Sequence, residues 1–385
     1  MATTLRIALV SPYGLDRFGG VRSHLLGLGE ALGARGHRVE VVAPGPDGTL
    51  GTLPVVGCGA PHTVHFGGTH FDVAWASALA RRRVYDRGYD LLHLHTPWNP
   101  ALPLQLAAGF RGARVATFHD VAGEATPRWA RALMPMASAV IRRLAVHATI
   151  AVSPEISAYL GDGTHTVIAN GIAPPDNGSD DDGRRPQAAS PEGWPEAVPD
   201  AAPFVYIGRL EPRKDVATML RAVALLQQRS RPHAPPPVVI VGDGPSRPAL
   251  EQLRDALGLH HVRFIGAVSD TDKWALLRSA RCLIAPARSG ESFGIVLLEA
   301  MAAGTVPIAA DNPGYRHVLH DGGTSLLFAA GDHAALASQL ERVLEAPAWY
   351  DGMRAWCAQR WTHFQWDRIA EQVEAVYAQA LVAAR

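Results

Sequence analysis

Two α/β domains, each built on a doubly wound parallel sheet, are what this sequence predicts, and three observations carry the expectation. Short apolar runs alternate with helix-length segments through nearly the whole chain. The alternation is interrupted once, between Pro174 and Pro203, by a stretch with no hydrophobic period. The length, 385 residues, exceeds the roughly 100–200 residues that one core ordinarily organises.

The first half opens with "LRIALVS" (5–11), which reads as a buried strand. Behind the loop "PYGLDRFGG", Val21, Leu25, Leu28 and Leu32 recur at helical spacing. "RVEVVAP" (38–44) supplies the next strand, and such short connections favour a parallel pair with a right-handed crossover. Further strands are expected at "DLLHLH" (90–95), "RVATFH" (114–119), "ATIAVS" (148–153) and "HTVIAN" (165–170). The segment 174–203, rich in Pro, Asp, Gly and Ser, reads as a linker or mobile loop. Alternation then resumes with strands at "FVYIG" (204–208), "PVVIVG" (237–242), "VRFIG" (262–266), "CLIAP" (282–286) and "VPIAA" (306–310). Helices are expected near 215–229, 246–257 and 271–280. A final helix over about 366–383 carries Ile369, Val373, Val376, Tyr377 and Leu381 on one stripe, which must cover apolar surface.

Acidic and basic residues number 36 each, so net charge gives no argument for nucleic acid. Cys58, Cys282 and Cys357 are too few and too scattered for a disulfide framework or a zinc site, which makes a reducing, cytoplasmic setting the expectation. No leader-like segment precedes the first strand, and no apolar run reaches the roughly 18 residues of a spanning helix. Lys214 and Lys273 are the only lysines, against 34 arginines. Where this chain uses lysine, a compact ammonium is wanted.

The most informative stretch is "SGESFGIVLLEAMAAG" (289–304). A helix beginning near Phe293 would turn its free N–H groups and positive dipole end toward the loop holding Gly290 and Gly294, an arrangement suited to a diphosphate. Glu299, about one and a half turns further in, would reach hydroxyls beside that phosphate, and Glu291, ahead of the helix, a second hydroxylated group. The plainer reading is an ordinary helix with one surface and one capping glutamate. "GRLEPRKD" (208–215) places Arg209 and Lys214 at a strand's carboxyl end, where two cations would neutralise a departing diphosphate; the plainer reading is a solvated basic loop. Gly242 and Gly244 in "GDGP", and Gly19 and Gly20 in "FGGVRSH", permit either a tight turn or close approach of a ligand. His119 closes a strand, where a lone histidine is more often structural. His93 and His95 share one strand face, a spacing compatible with metal ligation, but no third ligand stands at useful spacing.

With these residues in view, the chain resembles retaining glycosyltransferases of the GT-B architecture, two Rossmann-like domains facing a central cleft, and specifically glycosyltransferase family 4. The likeness spans nearly the whole chain and rests on Glu291 and Glu299 eight apart, "GRLEPRK", "GDGP", the N-terminal "GGV", Asn170-Gly171 and the closing "FQWDRIAEQVEAVY". It implies an acceptor-side domain over 1–173 completed by the C-terminal helix 366–385, and a nucleotide-sugar-binding domain over 204–365. It implies that Arg209 and Lys214 hold the donor diphosphate, that Glu299 holds the ribose, and that Glu291 with the backbone around Phe293, Gly294 and Ile295 holds the donor sugar. Gly20 would admit the diphosphate and His119 would meet the transferring sugar. No metal and no separate cofactor are implied, the nucleoside-diphosphate sugar being a co-substrate. The glutamates are then binding groups and not a glycosidase pair flanking the scissile bond.

Within the family the flavour is that of lipid mannosylation, which makes GDP-mannose the first expected donor and a lipid-linked or glycan hydroxyl the acceptor. UDP-glucose or UDP-N-acetylglucosamine with a soluble or polysaccharide acceptor is the alternative, and a non-catalytic sugar-nucleotide-binding module ranks below both. A phosphorylase would need a pyridoxal lysine, for which Lys273 has no context. Two departures stand out: Asp215 follows Lys214 where relatives tend to have glycine, and Glu124 stands where lipid-mannosylating relatives tend to be basic. Segments 71–88 and 127–145 each read as an amphipathic helix with basic residues, able to rest peripherally on an anionic membrane face or, equally, to pack on the sheet.

Overall fold

Ile7, Ala8, Leu9 and Val10 are all fully buried, so the first strand is apolar on both faces, as a parallel sheet covered by helices on each side requires. The computed structural model describes residues 4–15, 20–66, 69–97, 101–119, 128–161, 165–175, 203–229 and 236–385. Two compact units result, Met1–Gly171 with Phe364–Arg385, and Ile172–His363. Most of the 174–203 segment, Gly19 and Glu124 lie outside the described residues.

The first unit contains β1 (Arg6–Val10), α1 (Gly20–Ala34), β2 (Arg38–Ala43), β3 (Gly48–Leu50), β4 (Leu53–Gly57), β5 (Ala60–Phe66), β6 (Thr69–Trp75), α2 (Ala78–Tyr85), β7 (Leu91–His95), α3 (Leu102–Gly109), β8 (Ala113–Phe118), α4 (Arg128–Leu144), β9 (Ala148–Ala151), α5 (Pro154–Leu160) and β10 (Thr166–Val167). Its main sheet runs β10-β9-β8-β7-β1-β2-β4-β3, parallel except for the β3–β4 pair. Strand order reverses between β1 and β7, the switch point at which open α/β sheets receive ligands.

One sequence expectation is corrected here. A helix over 71–88 does not form: Ala60–Trp75 is an antiparallel pair, β5 with β6, in which Phe66 faces Thr69. The Gly67-Gly68 spacing between two alternating runs is a two-residue hairpin signal, and it outweighs the helical stripe. Helix begins only at Ala78, where the Ser77 hydroxyl accepts from the Ala80 N–H at 3.1 Å.

The second unit contains β11 (Phe204–Ile207), α6 (Val216–Arg229), β12 (Val238–Val241), α7 (Arg247–Ala256), β13 (Val262–Gly266), α8 (Asp270–Ser279), β14 (Cys282–Ala285), α9 (Ile295–Ala302), β15 (Val306–Ala310), α10 (Pro313–Leu319), β16 (Leu327–Phe328), α11 (His333–Glu345) and α12 (Pro347–Arg360). Its parallel sheet runs β13-β12-β11-β14-β15-β16, with the switch between β11 and β14. Four-residue strands of Val, Ile, Leu and Phe carry this core, buried through β12 and β14.

The last helix, α13 (Trp366–Ala383), belongs to the first unit. Its stripe of Ile369, Val373, Val376 and Tyr377 joins Ile7, Leu9, Leu25 and Leu28 in one buried cluster. Each such side chain contributes roughly 1.5–3 kcal/mol on burial, so the stripe is structural.

Candidate functional site

In the second unit the loops leaving the carboxyl ends of β11 and β14 are neighbours, because those strands pair directly. Arg209 to Asp215 lie on one loop and Ala287 to Gly294 on the other. A 3-10 turn at Pro212–Lys214 folds the first back, and the Arg288 N–H donates to the Arg213 carbonyl at 3.0 Å to tie the two together.

Glu291 is the hub. Lys214 Nζ donates to its Oε1 at 2.5 Å and Arg213 Nη1 to the same oxygen at 3.1 Å. Arg213 Nη1 also donates to the Gly290 carbonyl at 2.9 Å. Tyr315, fully buried on α10, bonds the same carboxylate, and burial followed by the Glu291 charge holds its phenol well above the usual range. Arg209 stands apart: its guanidinium is 70% exposed and pairs with Glu211 at 2.9 Å. The loop thus presents an exposed Arg209 paired with Glu211, while Arg213 and Lys214 are both held on Glu291.

Asp215 explains a departure noted in the sequence. It adopts φ +49°, the left-handed region that favours glycine. Its carboxylate recovers the cost by accepting from Arg288 Nε at 2.5 Å and Thr218 Oγ1 at 2.6 Å.

α9 starts at Ile295, two residues later than expected. Gly294 sits at φ +95° with its Cα 's missing methyl position 2.6 Å from the Tyr315 ring, so it can only be the cap. No side chain caps this end, and the first N–H groups of the helix face the loop. Phe293 is buried, leaving its backbone, and not its ring, as a contact. Glu299 is not free: Lys273 Nζ on α8 donates to it at 2.7 Å and to Asp270 at 3.0 Å. Burial pushes the Glu299 carboxyl up, with Lys273 opposing. Burial also opposes the Lys273 charge, but the two carboxylates prevail and raise its pKa. Each of the chain's two lysines therefore holds one of the two glutamates read from the sequence.

Gly242 and Gly244 have positive φ, and a Cβ at either would strike backbone, 2.0 Å from the Gly208 carbonyl oxygen and 2.5 Å from that of Leu210. Close approach of one loop to its neighbour accounts for both glycines within this unit.

His119 and Gly20 lie in the first unit. Gly20 is the first residue of α1. His119 follows β8, with its Nε2 2.9 Å from His95 Nδ1. His24 packs edge-on against His119 and against Trp366, with ring centroids 4.6 and 5.1 Å apart. His93 is committed elsewhere, with Nδ1 2.7 Å from the Tyr377 hydroxyl and Nε2 2.6 Å from Thr117 Oγ1. Sequence reasoning missed Arg213, Arg288, Lys273, Tyr315 and His24. Scarcity of lysine was the signal for Lys273, whereas Arg213, Arg288 and His24 depend on contacts more than 70 residues apart in sequence, such as Arg213 with Gly290, and Tyr315 on a contact with Glu291 from a separate element.

Two family models match the chain, Glycosyltransferase Family 4 over residues 18–174 and Glycosyl transferases group 1 over 196–360. Phosphatidyl-myo-inositol mannosyltransferase of Mycobacterium leprae is 35% identical over 97% of this chain and 96% of its own length, and that of Mycolicibacterium smegmatis is 32% identical over 97% and 93%. Glycogen synthase of Mycobacterium tuberculosis is 30% identical over 98% and 95%. Among solved structures, sucrose-phosphate synthase from Thermosynechococcus elongatus superposes with a TM-score of 0.72 at 25% identity, covering 98% of this chain and all of that one. Anabaena HepE in complex with UDP and glucose gives 0.72 at 19% identity, covering 97% and 99%.

Proposed function

The chain belongs to glycosyltransferase family 4, an enzyme family of the GT-B fold, and from that premise we propose that it transfers mannose from GDP-mannose to a hydroxyl of a lipid-linked acceptor, with retention and without a metal at the diphosphate. The names of its relatives, phosphatidyl-myo-inositol mannosyltransferases, support mannose as the sugar and a lipid as the acceptor. The observation that carries the site is the pairing of Lys214 with Glu291 beside the uncapped start of α9, at the switch point of the second sheet.

On this reading the diphosphate enters where an exposed Arg209 and the free N–H groups of α9 already provide positive potential. It draws Lys214 from Glu291, releasing that carboxylate to accept from the sugar's hydroxyls. Glu299, kept charged and oriented by Lys273, accepts from the ribose. The leaving phosphate takes the acceptor's proton on the same face, so neither glutamate acts as acid or nucleophile.

Two exposed apolar groups support peripheral membrane contact. Leu133, Met136, Val140 and Leu144 stand on one face of α4, each at least half exposed, and Trp75 and Leu79 flank the start of α2. Among the described residues no helix is long and apolar enough to cross a membrane.

A thermal-shift panel of GDP-mannose, UDP-glucose, UDP-N-acetylglucosamine, GDP and UDP, run in EDTA, tests the reading. Guanine nucleotides should stabilise the wild type and barely move Glu299→Ala. Stabilisation by uridine nucleotides alone would replace GDP-mannose with the alternative donors, and no shift with any would remove the assigned donor site.

A further inference from the structure

The strand face shared by His93 and His95 offers no third ligand in sequence, but the fold brings two other imidazoles to its end. His24 on α1, His95 at the end of β7 and His119 just beyond β8 each place one ring nitrogen within 4.8 Å of the other two. His24 and His95 are buried, and His119 is half-buried. We propose that these three histidines form a binding site for one divalent transition-metal ion of the zinc type, entered past His119.

His24 carries the argument. Its Nδ1 lies 2.9 Å from Asn170 Oδ1, an oxygen that only accepts, so the proton sits on Nδ1 and Nε2 holds a lone pair. That Nε2 is buried and has no hydrogen-bond partner. An imidazole whose other N–H is given to a carbonyl is the form that metal-ligating histidines take. His95 Nε2 is buried without a partner as well. His93 is not of the set, because both of its nitrogens are engaged.

Zinc holds imidazole nitrogens at about 2.0–2.1 Å, which sets tetrahedral ligands about 3.3 Å from one another. His95 Nδ1 and His119 Nε2 lie 2.9 Å apart, so an ion between them would replace their hydrogen bond, and ring rotation brings His24 Nε2 to the same point. An all-imidazole set favours zinc, copper or nickel over magnesium or calcium, which demand oxygens. Three protein ligands leave a fourth position for water or an anion. The site does not depend on the transferase reading.

Calorimetric titration of the EDTA-stripped full chain with zinc chloride tests the proposal, with cobalt(II) visible absorption reporting coordination geometry. One ion per chain is expected, with the intense cobalt bands of a tetrahedral site. His24→Ala and His119→Asn should each weaken uptake at least about tenfold, and Asn170→Ala by roughly tenfold through loss of its hold on His24. His119→Asn, at a half-buried position, guards against a His24 variant that fails to fold, and circular dichroism checks both. His320→Asn, in the second unit's His317–His320 stack, should change nothing. Absence of stoichiometric uptake, or uptake lost in His320→Asn and kept in His24→Ala and His119→Asn, would overturn the site.

Discussion

At the switch point of the first sheet the polar side chains are neutral rings, with His24, His95 and His119 packed against one another. At that of the second sheet they are charges matched by sign, Lys214 with Glu291 and Lys273 with Glu299. Both sheets are doubly wound and parallel at their switch points, so topology alone does not decide how a strand edge is furnished. The first edge meets the cost of burying polar groups by shedding charge, and the second by pairing it. A neutral cluster should answer to protons and metals, and a paired one to loss of a partner or arrival of a competing ion.

The largest expected effect strikes the paired edge. Lys214→Ala should lower kcat/KM for transfer about 10²- to 10³-fold, read by steady-state kinetics with GDP-mannose. A loss under tenfold would mean that Lys214 serves only to hold Glu291.

Acid should separate the two units next. A histidine whose pKa is lower folded than unfolded contributes stability that is fully present above the unfolded value of about 6.5 and is lost as pH falls toward the folded one, since the unfolded chain binds the proton first. Burial puts His24 near about 4 and His93 near about 3, and the groups facing them are His95, His119, Tyr377, Thr117, Asn170 and Trp366. Each such imidazole gives a slope of about 1.4 kcal/mol per pH unit. The second unit has a counterpart in His317, also lowered to about 4 by burial, then His320 and Arg360, but among its described residues no comparable group of four. Hydrogen exchange in EDTA from about pH 7 to about pH 5 should therefore show the first unit opening sooner. Equal loss in both would erase the contrast.

A smaller effect dissects the paired edge. Lys273→Met leaves Glu299 largely buried without its cation and should destabilise the protein by about 1–3 kcal/mol in chemical denaturation. Adding Glu299→Leu should recover most of that stability without recovering donor binding, which would divide the pair's structural part from its functional one. The smallest effect belongs to the surface. Leu133→Ser with Met136→Ser and Val140→Ser should change stability by no more than about 0.5 kcal/mol, while reducing cosedimentation with anionic vesicles. Unchanged cosedimentation would remove α4 from the membrane reading.

Period and punctuation made most of the fold legible. The strand at 5–11, those from 204 to 310 and the closing helix are all present, because short apolar runs flanked by turn residues have few other solutions in an α/β chain. The 60–75 hairpin was hidden behind arginines whose helical spacing begins only at Ala78. Glu291, Arg209 and Lys214 were legible as residue types in loops beyond strand ends, and Glu299 as one inside the helix that follows. What each touches was not: Lys273 reaches Glu299 from another helix, and Tyr315 reaches Glu291 from a third element. His24 was illegible as a ligand for the same reason, since three histidines separated by 71 and 24 residues meet only through sheet topology. Asp215 shows the limit from the other side: the departure from glycine was visible, but the left-handed backbone and the Arg288 contact that accommodate it were not.

The position of α13 sets a schedule for biosynthesis. Residues that complete the first unit's core leave the ribosome only after the whole of the second unit has been made. At about 5–20 residues per second, the sheet of the first unit waits roughly 10–40 s with the apolar face around Leu25 and Leu28 uncovered. During that interval it is a natural client for a holding chaperone, and a message cut short before Trp366 would release a chain whose second unit is whole and whose first is permanently unfinished.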